Sequence, residues 1–259
     1  MALRILYQVD VGRRPVRESL RGALAQLDAG VGAGFTMAVR QTERHMRRQR
    51  PGPAVIVSAS EKRERVRVRR NVVRSLECCA DALRKLTGEA LAYPPRLTSD
   101  EAVARAPSAT TAAMGRLERA LRISTLPRDD VAEVRQVAES ALTAMHATIA
   151  RRLPIACATA QMMVPLAVGA ARNREELDER LRGFTGQWPL ERQSAPDRNI
   201  LRLSAFELLH CPDTPPAVTL NEAVELAKKY GTEESGRFVN GVLSALATEA
   251  GLISAGATV

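Results

Sequence analysis

The sequence predicts an all-α fold, and both its composition and the spacing of its apolar residues support that class. Hydrophobic residues make up 45% of the chain but aromatic residues only 3%, and most of the apolar content is Ala, Leu and Val. This mixture favours helices over a β-sandwich or barrel. Apolar residues recur at three- and four-residue spacing near both ends of the chain. We therefore predict a helical bundle of about six core helices, with an inserted basic segment that is partly helical or disordered.

The apolar pattern of residues 1–30 predicts two helices. The first carries an apolar stripe that includes Leu3 and Leu6, and it is interrupted where Gly12 precedes Pro15. A second stripe extends over residues 16–27, and we expect its helix to end at Gly30.

The middle segment, residues 31–161, has a different character. It contains chain breakers at 32–34 (Gly-x-Gly), 50–53 (Arg-Pro-Gly-Pro) and 93–95 (Tyr-Pro-Pro). It holds 23 Lys and Arg against 13 Asp and Glu, whereas the rest of the chain holds 15 against 16. The positive excess therefore lies in this segment. Only residues 71–86 and 111–152 show helical patterning, with a break at Pro127, and we expect the remainder to be irregular or disordered.

Residues 162–250 return to helical spacing and predict four helices. Ser194 matches an N-cap that is followed by a proline in the first turn, and Pro212 ends that helix. The run from Thr219 to Glu222 matches a capping box, and the last helix is expected to open near Thr232. Gly241 inside this last helix suggests a close approach by a neighbouring helix.

Five short segments carry a pattern that occurs in one protein family. They are residues 2–10 (ALRILYQVD), 188–191 (WPLE), 197–209 (DRNILRLSAFELL), 221–231 (NEAVELAKKYG) and 237–243 (RFVNGVL). In this order they resemble the NusB family of bacterial transcription antitermination factors. The resemblance covers about half of the chain. It predicts one discontinuous domain from residues 1–30 and 162–250, a basic insertion at 31–161 and a flexible tail at 251–259.

The resemblance implies an RNA-binding adaptor that performs no chemistry. Members bind the boxA element of nascent ribosomal RNA together with the small-subunit ribosomal protein that also acts as NusE. The complex attaches to the RNA polymerase elongation complex and suppresses termination. Members occur as monomers and as dimers, so a homodimer stays open. The family usually has an arginine-rich stretch before its first helix; here we expect either a start further upstream or the loss of that RNA contact.

Eight residues are candidates for RNA binding, because by the resemblance they occupy the RNA-facing surface or its neighbourhood. They are Arg4, Gln8, Arg13, Arg14, Lys228, Lys229, Arg237 and Asn240. A solvated polar face is the alternative for each charged residue, and Asn240 could instead bond a neighbouring loop.

Glu234 and Phe238 are the candidate partner-binding residues. They lie four apart on the last helix, about 90° from the centre of its apolar face at 100° per residue. By the resemblance they match positions that contact the NusE-type protein. The alternative is that Phe238 packs against a neighbouring helix.

The basic run at residues 63–74 has two open interpretations. It could bind RNA phosphates without sequence preference, or it could be a solvated face. No aromatic residue lies inside it for base stacking. The insertion could also be a separate interaction module, with the family-like part as its scaffold. A further alternative is the NusB-like domain of a ribosomal RNA methyltransferase. We do not expect it, because only about ten residues follow the last predicted helix.

The sequence predicts neither a cofactor nor a metal site. The four cysteines form no Cys-x-x-Cys pair and the three histidines are scattered. We expect no signal peptide and no 18-residue apolar run, so the protein is predicted to be cytoplasmic with no membrane partner.

Overall fold

The structure, a computed structural model, describes residues 1–48, 58–186 and 188–254. In these ranges the chain is all-α, as predicted, and no strand occurs. The helices are α1 (Ala2–Asp10), α2 (Val16–Arg48), α3 (Ala59–Ala90), α4 (Ser99–Arg122), α5 (Arg128–Arg172), α6 (Arg174–Arg182), α7 (Ala195–His210), α8 (Pro216–Tyr230) and α9 (Ser235–Glu249). A short 3-10 helix, Leu190–Arg192, precedes α7.

The chain divides into two compact units. Unit 1 comprises Met1–Ala23 and Gln161–Val259, and unit 2 comprises Leu24–Ala160. Both boundaries fall inside continuous helices, α2 and α5. Each unit has its own apolar core. Of the tail expected at 251–259, residues 255–259 lie outside the described residues.

The core of unit 1 is formed by the apolar faces that the sequence predicted. Leu6 of α1, Leu181 of α6, Ile200 of α7 and Leu243 of α9 are all buried in it. The predicted cap of α7 is present: Ser194 Oγ accepts a hydrogen bond from the backbone N–H of Asp197 at 3.2 Å.

Two details of unit 1 differ from the sequence prediction. The expected first helix of the 162–250 segment is two helices, since α5 ends at Arg172. The side-chain amide of Asn173 donates to the carbonyl of Gly169 at 2.9 Å, which satisfies the end of α5. The predicted capping box at Thr219 is wrong: α8 begins one turn earlier, with Pro216 in its first turn, and Thr219 is buried inside the helix.

Unit 2 consists of long helical segments around a single core. Its largest fully buried side chains include Phe35 of α2, Leu76 of α3, Leu117 of α4 and Ile149 of α5. A capping box opens α4, in which Thr98 Oγ1 accepts from the N–H of Glu101 at 3.1 Å. The break predicted at Pro127 separates α4 from α5.

The expectation that most of the insertion outside 71–86 and 111–152 is irregular or disordered is wrong for the described residues. Helix α2 passes through Gly30 and the Gly-x-Gly at 32–34 to Arg48. Gly34 permits close packing, because a Cβ at this position would lie 2.5 Å from the Cγ2 of Thr148 on α5. The Arg-Pro-Gly-Pro at 50–53 lies outside the described residues. Glycine therefore marks a helix contact here, where the sequence suggested a break.

Helix α5 holds an uncharged stretch at residues 153–171. By length and composition this helix could cross a membrane, so the expectation of no such apolar run is wrong. A single helix of this kind is weak evidence, because a core helix passes the same test. Leu153 and Ala167 are buried whereas Ile155 and Met162 are exposed, so the stretch is buried on one side.

Candidate functional site

A cluster of ion pairs in unit 1 holds α1 against α6 and α7. Asp10, the last residue of α1, accepts hydrogen bonds from Arg198 Nη2 at 2.7 Å and Asn199 Nδ2 at 3.2 Å. The Nη1 of Arg202 lies 3.1 Å from Asp10 Oδ1, and its other donors form a two-pronged contact with Asp178 at 2.7 and 2.8 Å. The side chains of Asp10 and Arg202 are only 6% and 4% exposed, so this cluster is part of the interior.

Electrostatics inside the cluster keep Asp10 ionised. Burial alone would raise the pKa of this carboxyl, but hydrogen bonds and charge from Arg198 and Arg202 outweigh it and hold the pKa below its ordinary value. Asp10 is therefore a structural anion that fixes the direction of α1.

A second polar junction joins the start of α7 to the start of α9. Ser194 Oγ and Ser235 Oγ donate to the same carboxylate oxygen of Asp197, at 2.8 and 3.0 Å, and the N–H of Thr232 donates to Ser235 Oγ at 2.8 Å. A Cβ at Gly231 would lie 2.4 Å from Ser235 Oγ and 2.7 Å from Asp197 Oδ1. Only glycine therefore fits this position, and the junction fixes where α9 begins.

Beside this junction lies an open groove of about 650 Å³, here called the aromatic groove. Its lining includes Phe184, Trp188, Gln193, Asp197, Phe238 and Gly241. Trp188 is 69% exposed, and its carbonyl accepts from the Gln193 side chain at 3.0 Å. The groove thus presents aromatic surface to solvent, above a buried polar floor.

The two candidate partner-binding residues both line this groove. Phe238 is half-buried: it packs against the unit 1 core and also lines the groove. Its role in partner binding stays a prediction. Glu234 precedes the first residue of α9, is exposed, and lies 3.6 Å from Arg237, which lines the same groove.

The candidate RNA-binding residues of the N-terminal part lie elsewhere in unit 1. Arg4 is exposed and Gln8 half-buried on α1. Arg13 and Arg14 are exposed in the turn after α1, where Arg13 has a φ of +49° and Arg14 lies 3.8 Å from Glu18. None of these four residues lines the aromatic groove.

The remaining candidates surround the start of α9. Lys228 pairs with Glu225 at 2.8 Å, and its side chain lies 3.3 Å from where Gly236 would carry a Cβ. Lys229 Nζ lies 5.3 Å from the ring centre of Tyr230. Asn240 is half-buried, and its Oδ1 accepts from Ser244 Oγ at 3.5 Å.

Gly241 does not mark the close helix approach that the sequence suggested. A Cβ at this position would meet no atom of the described residues within 4 Å, and Gly241 is one of the residues that line the groove. The close approach is at Gly236, one turn earlier, where Lys228 of α8 packs.

Sequence reasoning did not select Trp188 or the Asp10 cluster as parts of the site. Trp188 lies in the link before α7, where no periodic apolar pattern points to it. The isolated tryptophan beside a proline was the available signal. Asp10 and Arg198 are 188 positions apart in sequence, so only the fold brings them together.

The described residues contain no group of three or more His, Cys, Asp or Glu side chains that could hold a metal ion. Burial, with a smaller contribution from Cys78, raises the pKa of the Cys79 thiol to about 11. This thiol is therefore protonated at neutral pH and is a poor nucleophile.

Comparison with known proteins identifies relatives over the C-terminal half. The sequence profile of the NusB family matches residues 119–248. This range includes 119–161, which the sequence analysis assigned to the insertion, and does not reach residues 1–30.

Two curated relatives carry the name transcription antitermination protein NusB. One from Sorangium cellulosum is 52% identical over 86 residues, which are 33% of this chain and 61% of the relative. One from Desulfosudis oleivorans is 48% identical over 86 residues, 33% of this chain and 56% of the relative. The chain thus spans about three fifths of the length of these relatives. A solved structure of T. maritima NusB is 37% identical, covers 45% of this chain and 75% of its own, and has a TM-score of 0.34.

The family profile extends from the last turn of α4 almost to the end of α9, and it includes the groove, the polar junction and most of the ion-pair cluster. The residues before it, including α2 and α3, are extra relative to that profile. The chain belongs to the NusB family.

Proposed function

We propose that this protein is a transcription antitermination factor whose unit 1 binds a boxA-type RNA together with a NusE-type small-subunit ribosomal protein. Bound to the RNA polymerase elongation complex in the cytoplasm, it would support transcription of ribosomal RNA. It acts by binding and performs no chemistry. Family membership supports this proposal, and the aromatic groove is the observation that carries it.

The groove has the composition of a protein-binding hot spot. Aromatic residues and arginine are enriched where truncation costs the most binding energy, and Trp188, Phe238 and Arg237 lie together there. Glu234 adds an exposed carboxylate at the rim, which suits a basic ribosomal protein. The Asp197 junction holds the first turn of α9 in place, so little ordering is needed on binding.

In this proposal the basic candidate residues bind the RNA. Arg4, Arg13, Arg14, Lys228 and Lys229 are exposed and suit phosphate contacts. We place Gln8 and Asn240, both half-buried and uncharged, as hydrogen-bonding partners of sugar or base edges.

The test is Phe238→Ala. We expect affinity for the NusE-type protein, measured by titration calorimetry, to fall by about 30-fold, because truncating a central aromatic often costs about 2 kcal/mol. The matched control is Met162→Ala, which removes a large exposed apolar side chain from the same unit but outside the groove. It should leave the affinity unchanged.

Two results would count against the proposal. One is an unchanged affinity for Phe238→Ala with the protein folded by circular dichroism. The other is a wild-type complex with the NusE-type protein that binds a boxA RNA no better than a scrambled RNA of the same length.

A further inference from the structure

The exposed face of α3 carries a row of four arginines. Arg63, Arg67, Arg70 and Arg74 follow spacings of four, three and four residues, which places them along one side of a helix. All four are exposed. The opposite side of the same turns is buried, with Val68 and Val72 in the core of unit 2. The amphipathic pattern of α3 therefore fixes the row on the surface.

Most of this row has no internal partner. Within the described residues, only Arg67 pairs with an acidic group, Glu64, at 2.7 Å. Arg65, on a neighbouring side of the helix, behaves differently, since it pairs with Glu61 at 3.1 Å and also with Asp130 on α5. The guanidinium donors of Arg63, Arg70 and Arg74 are thus available to an external anion.

Helix α4 packs alongside α3. Cys79 of α3 contacts the carbonyl of Thr110, while Glu64 accepts from the side chain of Ser124, so α3 and α4 are antiparallel. In that register Arg116 lies opposite the turn of α3 that carries Arg74. Arg116 is exposed, and its positive charge partly opposes the rise in the pKa of the Cys79 thiol that burial causes.

The row has a defined end. The next exposed residues on the same side of α3 are Glu77 and Asp81. The basic surface therefore covers about three helical turns, from Arg63 to Arg74, or about 16 Å at 1.5 Å per residue.

We propose that this arginine row binds the sugar-phosphate backbone of single-stranded RNA. Each guanidinium can form two parallel hydrogen bonds with a phosphate, and the arginines follow one another at about 5 Å along the axis. No aromatic residue lies between Arg63 and Arg74, so bases are not stacked and the contact is independent of sequence. The proposal rests on the proposed function in one respect only, that RNA is brought to the protein; the residues are different.

The test compares two triple variants of the full chain. The first, Arg63→Gln/Arg70→Gln/Arg74→Gln, removes the unpaired members of the row and spares Arg67, since its loss would strip nearly buried Glu64 of its partner. The control, Arg40→Gln/Arg96→Gln/Arg151→Gln, removes the same charge from scattered exposed positions of unit 2. The probe is a 20-nucleotide single-stranded RNA of scrambled sequence, titrated between 50 and 400 mM salt, roughly the range in which counterion release is measurable.

We expect the row variant to flatten the slope of log K against log salt by about 2, since each phosphate contact on a single strand contributes about 0.7. The control should change the slope by much less. An Arg→Lys triple at 63, 70 and 74 should keep most of the slope, because it keeps the charge.

Equal slopes for all proteins, or equal flattening in both Gln triples, would overturn the proposal. A wild-type protein that does not bind RNA would overturn it together with the proposed function. The arginine-row proposal and the proposed function can also fail separately. If the row variant shows a flatter salt dependence but the wild type shows no preference for boxA RNA, only the proposed function fails. If boxA preference persists and the slopes are equal, only the arginine row fails.

Discussion

The two units of this protein use arginine in opposite ways. Unit 1 holds 15 Lys and Arg against 15 Asp and Glu, and two of its arginines, Arg198 and Arg202, are drawn inward to Asp10. Unit 2 holds 23 Lys and Arg against 14 Asp and Glu, and the row from Arg63 to Arg74 faces solvent. The entire net charge of +9 therefore belongs to unit 2.

This contrast shows why the number of arginines says little about RNA binding. An arginine in a buried, fully hydrogen-bonded pair cannot reach a phosphate, and removing it damages the fold. An exposed arginine without a partner contributes little to stability and is free to bind. RNA binding therefore depends on whether each guanidinium already has an acidic partner, and substitutions in the two units can test this.

The largest effect is expected for Arg202→Met. This change removes the buried guanidinium that contacts both Asp10 and Asp178, and of the two carboxylates' shared partners it leaves the exposed Arg174. Breaking a buried pair from one side costs about 3 to 5 kcal/mol, and we expect that loss in the free energy of unfolding measured with urea. Arg63→Gln is the matched control from unit 2, and it should change stability by less than about 0.5 kcal/mol. Similar losses for both variants would contradict the contrast between the units.

Asp10→Asn should weaken the same cluster by about 2 kcal/mol at neutral pH, the usual worth of hydrogen bonds to a charged group. The folded pKa of Asp10 lies below its ordinary value, so its contribution is complete above about pH 4 and is lost as the pH falls through the folded pKa. The difference between wild type and variant should therefore shrink from pH 7 to pH 3. Urea unfolding at each pH measures it, with Glu222→Gln as the control. A difference that does not depend on pH would exclude Asp10 as the ionised centre.

Helix existence was well predicted from sequence wherever one apolar face packs on one core. The apolar faces of α1 and α9 and the Ser194 cap are present in the structure. Helix α7 is present too, but it is buried on more than one side, since all residues from Asn199 to Ala205 are buried. The prediction failed where small residues carry the packing. In α2 the glycines at 32 and 34 suggest a break, but the helix continues through both, and Gly34 allows Thr148 of α5 to approach. A single sequence does not distinguish a glycine that ends a helix from one that permits a close contact.

The site was predictable only in part. Glu234 is the N-cap of α9 and Phe238 lies in its first turn, four residues later, so their common position follows from helical geometry. Their neighbour Trp188 comes from the link before α7, where its carbonyl accepts a hydrogen bond from the Gln193 side chain, and helical geometry does not predict its position. Likewise, Arg202 is buried because the fold brings acidic partners to it, whereas Arg63 has no such partner among the described residues. The local sequence pattern does not reveal this difference.

Gly169→Ala tests packing in unit 1. A Cβ at this position of α5 would lie 2.0 Å from the Cζ of Phe206, whose ring stacks on His210 with centres 4.8 Å apart. The ring must move, and overpacking of this kind costs about 1 to 3 kcal/mol, partly offset by the better helix propensity of Ala. We expect a net loss of about 1 kcal/mol or more in chemical denaturation. A stabilised Gly169→Ala would show that Phe206 can rotate away without cost.

Gly241→Ala is the same substitution at an open helical position, and it carries the smallest expected effect. In the part of the chain that the structure describes, nothing lies within 4 Å of the added methyl group, and Gly in a helix interior costs about 1 kcal/mol relative to Ala. We therefore expect the protein to become more stable by about 0.5 to 1 kcal/mol.

Because Gly241 lines the aromatic groove, the methyl group also narrows the groove beside Phe238. If the NusE-type protein occupies the groove, its affinity should fall even though the fold is strengthened. Thermal unfolding and titration of the same variant measure both quantities. Higher stability with unchanged affinity would place the partner away from this end of the groove, whereas lower stability would mean that Gly241 meets a constraint other than side-chain space.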